Sequence, residues 1–105
     1  MAELTTIARP YAEAAFGFAK QRGELDKWSE MLALLVGVYQ DNQFQEAVAG
    51  PTVTSGDVEK LMLSVCGERI DGQARNLVQL LVRNGRLAVL AEVQSMFEQL
   101  KSEDE

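Results

Sequence analysis

The chain has 105 residues, long enough for one hydrophobic core and too short for two. Its net charge of −6 and its singly scattered Lys and Arg residues exclude the concentrated basic face that phosphate binding requires, so nucleic acid is not an expected partner. With no histidine and one cysteine, it lacks the usual catalytic triads, most zinc sites, the commonest general base and any internal disulfide.

No apolar run approaches the ~20 residues of a membrane span, and the N-terminus has neither a secretory tripartite pattern nor an Arg-rich transit pattern. Direct membrane insertion is therefore not expected. Helical periodicity runs nearly throughout, interrupted by only two prolines and eight glycines. It predicts an all-α fold, a compact bundle of six antiparallel helices joined by short connections, as one domain over residues 1–105.

The first predicted helix covers residues 4–22. Leu4, Ile7, Ala8, Tyr11, Ala15, Phe18 and Ala19 form one stripe, with Ala14 at one edge and Ala12 and Phe16 beyond the other. That apolar arc spans roughly 200° at 3.6 residues per turn, against roughly 100° for an ordinary surface helix. Such a helix needs two packing surfaces, either several neighbours in its own bundle or its bundle and a partner. Its many alanines would let another backbone come close and make it the floor of a groove. Pro10 removes the bond to the Thr6 carbonyl, but the apolar phase continues across it, so a kinked helix is expected rather than one beginning at Pro10. Gly23 is the expected stop.

The second helix, residues 24–41, carries Leu25, Trp28, Leu32, Leu35, Val36 and Tyr39 as a core stripe, with Trp28 a core anchor. A short third helix, residues 42–49, presents Phe44, Ala47 and Val48 and ends at Gly50-Pro51. Thr54 with Asp57 three residues later reads as a capping box opening the fourth helix, whose inward stripe is Val58, Leu61, Met62 and Val65. Cys66, at the inner end of that stripe, reads as a small buried thiol rather than a nucleophile. Gly67 and Gly72 have phosphate-loop spacing, but Gln73 and Ala74 stand where such a loop needs Lys and Ser or Thr.

The fifth helix, residues 72–84, buries Ala74, Leu77, Val78 and Leu81 and closes at Asn84-Gly85 as a left-handed cap. Leu80 lies off that stripe, on the flank of Gln73, Asn76 and Asn84. The sixth, residues 86–100, packs through Leu90, Val93, Phe97 and Leu100, and the acidic tail at 101–105 has no apolar residue and is expected to fray. Acidity on this scale suits a basic partner, or only keeps the surface solvated.

Ala8-Arg9-Pro10-Tyr11-Ala12 with Ala14-Ala15-Phe16, then Asn76-Leu77 and Asn84-Gly85-Arg86-Leu87, resembles the delta subunit of bacterial F-type ATP synthases, equivalent to the mitochondrial oligomycin-sensitivity-conferring protein. The segment from Trp28 to Leu32 and the run Val65-Cys66-Gly67-Glu68 are similar as well. The resemblance implies a non-catalytic stator subunit of the peripheral stalk, without cofactor, at the cytoplasmic face of the bacterial inner membrane. Its six-helix N-terminal domain would bind the N-terminal helix of an alpha subunit in a groove between the first and fifth helices. Carried onto this chain, the groove residues are Ile7, Tyr11, Ala14, Phe18, Leu77, Leu80 and Asn84. The b subunits would be reached only through a C-terminal domain not included in these residues, and the domain would be a monomer. The alternatives are an acidic helical adaptor for an amphipathic helix of an unrelated protein, a thiol enzyme using Cys66, and self-association through the apolar overhangs.

Overall fold

Helix ends in this chain are set by local side-chain and glycine chemistry. The computed structural model describes residues 3–104, and among them the chain forms α1 (Leu4–Gln21), α2 (Leu25–Gln40), α3 (Asn42–Val48), α4 (Ser55–Cys66), α5 (Gly72–Arg83) and α6 (Leu90–Asp104). Single 3-10 turns at Gly67–Arg69 and Leu87–Val89 complete the helical structure, and no strand occurs among the described residues.

Thr54 and Asp57 form the expected box: the Asp57 amide donates to Thr54 Oγ1 at 3.1 Å and the Thr54 amide to Asp57 Oδ2 at 3.0 Å. Those bonds satisfy donors that the first helical turn leaves unpaired, and they hold the Asp57 carboxyl below its ordinary pKa. Asp41 caps α3 by accepting from the amides of Gln43 and Phe44, and Asp71 caps α5 by accepting from Ala74. Gly23 and Gly85 adopt φ of 67° and 65°. At each, paired bonds close the helix: Glu24 N to Ala19 O with Gly23 N to Lys20 O, and Arg86 N to Leu81 O with Gly85 N to Val82 O. This arrangement needs a left-handed residue and so favours glycine.

α1 continues as one helix through Pro10. The carbonyl that proline leaves without a donor belongs to Thr6, an exposed residue whose backbone water can reach. Ala8, Ala12, Ala15 and Ala19 are buried along one face, and α1 packs most extensively on α6, the neighbour such short side chains let approach closely. Leu32, Leu35, Met62, Val78, Leu81, Leu90, Val93 and Phe97 fill the centre.

Two expectations are corrected. Val65 does not face the core: it is 45% exposed, and the inward face of α4 is carried by Met62 and Cys66. One turn toward the C-terminus, Cys66 rather than Val65 follows Met62 inward, because i+4 stays closer to the buried line than i+3 here. The sixth helix starts at Leu90 after a 3-10 turn and runs through residues 101–104 instead of fraying. Its last turn is held from outside, by Lys101 to Asp26 of α2 at 3.0 Å and by Asp104 to Lys20 of α1. Residue 105 lies outside the described residues.

Candidate functional site: the furrow between α1 and α5

The wide apolar arc of α1 is divided between two surroundings. On the core side, Phe16 meets Phe97 edge-on, with ring centroids 6.0 Å apart at 69°. On the other side, Phe18 meets Trp28 of α2 at 5.9 Å and 71°. Such edge-to-face pairs hold rings in fixed orientations. Tyr11 and Phe18 are half-buried, while Ala14 between them is exposed.

α5 faces this wall across the furrow. Its inward residues are Ala74, Val78, Leu81 and Val82, while Leu77 is half-buried and Leu80 is 48% exposed. The gap between the helices is a furrow of about 410 Å³. Tyr11, Ala14 and Phe18 with Pro10 and Ala15 line it from α1, and Leu77 and Leu80 with Gln73 and Asn76 from α5. Trp28 reaches it from α2 although only 3% exposed. No lining residue carries a charge.

Both ends of α5 are tied down. At its C-terminal end Asn84 donates from Nδ2 to the Tyr11 hydroxyl at 3.1 Å. At its N-terminal end Asp71 pairs with Lys27, next to Trp28, at 2.9 Å. Burial opposes ionisation of Asp71, but the bonds from Lys27 and from the Ala74 amide outweigh it and hold the carboxyl below its usual pKa. The furrow is thus a preformed apolar trough whose walls are fixed at both ends. Its shape matches the helix-in-groove mode of recognition, where side chains spaced three and four apart enter a hydrophobic channel.

Residues 7–105 match the protein family described as the ATP synthase delta (OSCP) subunit. The chain belongs to that family. It is 45% identical over its whole length to the ATP synthase subunit delta of Methylobacillus flagellatus, 44% to that of Nitrosospira multiformis and 43% to that of Vibrio vulnificus. In each case the chain spans 59% of the relative's length.

Within this delta-family domain, five of the seven residues expected at the groove line the furrow together: Tyr11, Ala14, Phe18, Leu77 and Leu80. Ile7 does not. It lies one turn before Tyr11 on the same face and packs, half-buried, against the core. Asn84 is also outside the lining, but its bond to Tyr11 fixes one end of the trough. Pro10, Ala15, Gln73 and Asn76, neighbours of the expected residues on α1 and α5, line it too, and Trp28 joins them from a third helix, α2. Its phase on α2 is that of a core residue, and only the packing of α2 against α1, where Trp28 meets Phe18, brings it to the furrow.

The remaining chemistry is sparse. Cys66 is 1% exposed, and burial pushes its thiol pKa up despite the nearby charges of Arg69 and Arg75. Such a thiol stays protonated at neutral pH, the opposite of an activated nucleophile. Among the described residues no three His, Cys, Asp or Glu side chains are grouped to hold a metal ion, and no helix is long and apolar enough to cross a membrane.

Proposed function

We propose that this domain is a non-catalytic docking module of the ATP synthase peripheral stalk that seats the N-terminal helix of an alpha subunit in the α1/α5 furrow. The observation that carries this reading is the furrow itself, an uncharged trough lined by Ala14 and Ala15 and by the large side chains Tyr11, Phe18, Leu77 and Leu80. An amphipathic helix laid along it would insert apolar residues at helical spacing and leave its polar face to water. A total burial of about 1,200 to 2,000 Å² is typical of a stable, specific pair, and a few central anchors carry most of the binding energy.

The role follows from mechanics. Proton flow turns the rotor against the catalytic head, and the turning does work on the active sites only if the head is held still. A rigid bundle with a preformed groove loses little entropy on binding, which favours the tight, slowly dissociating grip such a holder needs. Contact with the b subunits belongs to the part of the relatives beyond the span of this chain. The domain itself acts as a monomer, without cofactor, peripheral to the cytoplasmic face of the membrane.

The test is calorimetric titration of the domain with a synthetic peptide of the alpha N-terminus. Saturable one-to-one binding, weakened at least about tenfold by Ala14→Asp, supports the reading, because the aspartate would place a charge in a tight apolar trough. Absence of binding, or equal binding by Ala14→Asp, contradicts it.

A further inference from the structure

A second concave apolar surface lies among α2, α3 and α4, on the far side of α2 from the furrow. At 100° per residue the α2 face formed by Ala33, Leu34, Gly37 and Val38 is centred about 150° around the helix from Trp28. It encloses about 600 Å³, larger than the furrow. Leu34, Val38, Phe44 and Leu61 wall it, and Val65 stands at its edge. Among the described residues three large apolar side chains are exposed: Leu4 at the start of α1, Leu80 in the furrow and Val65 on this surface.

Gly37 gives the surface its depth. It sits inside α2, where glycine costs about 1 kcal/mol relative to alanine, and a Cβ built there meets nothing within 4 Å. The fold therefore does not require glycine at this position. A side chain there would occupy the trough.

Charge distinguishes the two surfaces. The furrow lining holds no charged residue, whereas this lining holds one, Asp41, and no cation. Asp41 accepts the Gln43 and Phe44 amides through Oδ2 alone, which leaves Oδ1 to accept from elsewhere. Glu30, exposed, continues the same face of α2 one turn before Ala33 and Leu34. The lining extends along α2 from Ala33 to Asp41, about 12 Å at 1.5 Å per residue, or two helical turns. We infer that this surface is a second docking site, which takes a cationic amphipathic helix of a partner protein. The partner's apolar residues would lie on Leu34, Val38 and Leu61, and a Lys or Arg would reach Asp41. Apolar contact supplies most of the affinity, and the carboxylates select the sign of charge and the register.

Two synthetic peptides of about four helical turns, identical in a leucine stripe and differing only in Lys or Glu flanks, test this by amide chemical shifts of the labelled chain at low salt. The Lys peptide is expected to shift Ala33, Gly37, Asp41, Ala47 and Val65 saturably, and the Glu peptide to leave them unmoved. Asp41→Asn, which keeps a good helix cap, should weaken the Lys peptide about two- to fivefold, the effect of one exposed ion pair. Gly37→Leu, which fills the trough with a better helix former, should weaken it more than about tenfold. Val65→Lys, which removes an exposed apolar contact and adds a charge of the peptide's own sign, provides a check independent of the glycine site and should abolish saturable shifts of the apolar wall. Equal binding of both peptides, shifts confined to α1 and α5, or self-association of the chain through this surface in sedimentation would overturn the inference.

Discussion

Asn84 at the end of α5 donates to the hydroxyl of Tyr11 on α1 at 3.1 Å, across 73 residues of sequence. With the Asp71–Lys27 pair at the opposite end of α5, this bond fixes the furrow's width from both ends. Tyr11→Phe removes the bond but keeps the ring. Because the bond is exposed, the loss of stability should stay below about 1 kcal/mol. Tyr11→Ala also removes a furrow wall, and its affinity for the alpha peptide should fall at least about tenfold. Thermal melts and peptide titrations of the two variants separate these effects.

Leu80 is 48% exposed and contributes little to the core. Leu80→Ala should therefore change stability by no more than about 0.5 kcal/mol. Its cost should appear in binding, as a loss of about tenfold or more in peptide affinity, equivalent to about 1.4 kcal/mol. Leu81→Ala, one residue on and fully buried, should show the reverse balance, destabilising the bundle by about 2 to 5 kcal/mol. Urea unfolding and calorimetry on the pair measure both quantities.

These paired outcomes rest on features that the sequence displays unequally. The caps at Thr54, Gly23 and Gly85 were legible because each is made by residues within three to five positions of one another, where chain geometry fixes the partners. The excess apolar arc of α1 and the off-stripe Leu80 were legible as anomalies. Their adjacency was not, since periodicity describes one helix at a time; family resemblance supplied it. Val65 was misread because the apolar pattern of α4 does not reveal that one of its sides faces an open trough. The end of α6 was misread because Lys101 and Asp104 find their ionic partners 75 and 84 residues away, on α2 and α1. Trp28 looked like a core residue and is one, and its second role at the furrow exists only in three dimensions.

Asp71 ties acid sensitivity to the furrow wall. Its folded pKa is depressed, so its contribution to stability is fully present above its unfolded pKa of about 4 and is lost as pH falls through the folded value. Asp71→Asn keeps a competent cap and cannot ionise. The variant should be less stable than the parent at pH 6, with the gap closing below about pH 4. Urea midpoints measured across that range check the sign; a gap that widens on acidification would be wrong for this arrangement.

Cys66 should behave as part of the core. Its labelling by a thiol reagent at neutral pH should be slow in the native state and accelerate through the urea unfolding transition. Cys66→Ser places a hydroxyl where the thiol is buried and should cost about 1 to 3 kcal/mol, with peptide affinity at saturating stability unchanged. Rapid native labelling would place the thiol at the surface instead.

The central claim is that the α1/α5 furrow receives a helix, and mapping the bound state residue by residue addresses it most directly. Amide shifts of the isotope-labelled chain should be followed while the alpha N-terminal peptide is added to saturation. Saturable shifts are predicted at Tyr11, Ala14, Phe18, Leu77, Leu80 and Asn84, on two helices far apart in sequence. A saturating peptide that leaves α1 and α5 unmoved, or shifts only residues elsewhere on the bundle, would contradict it.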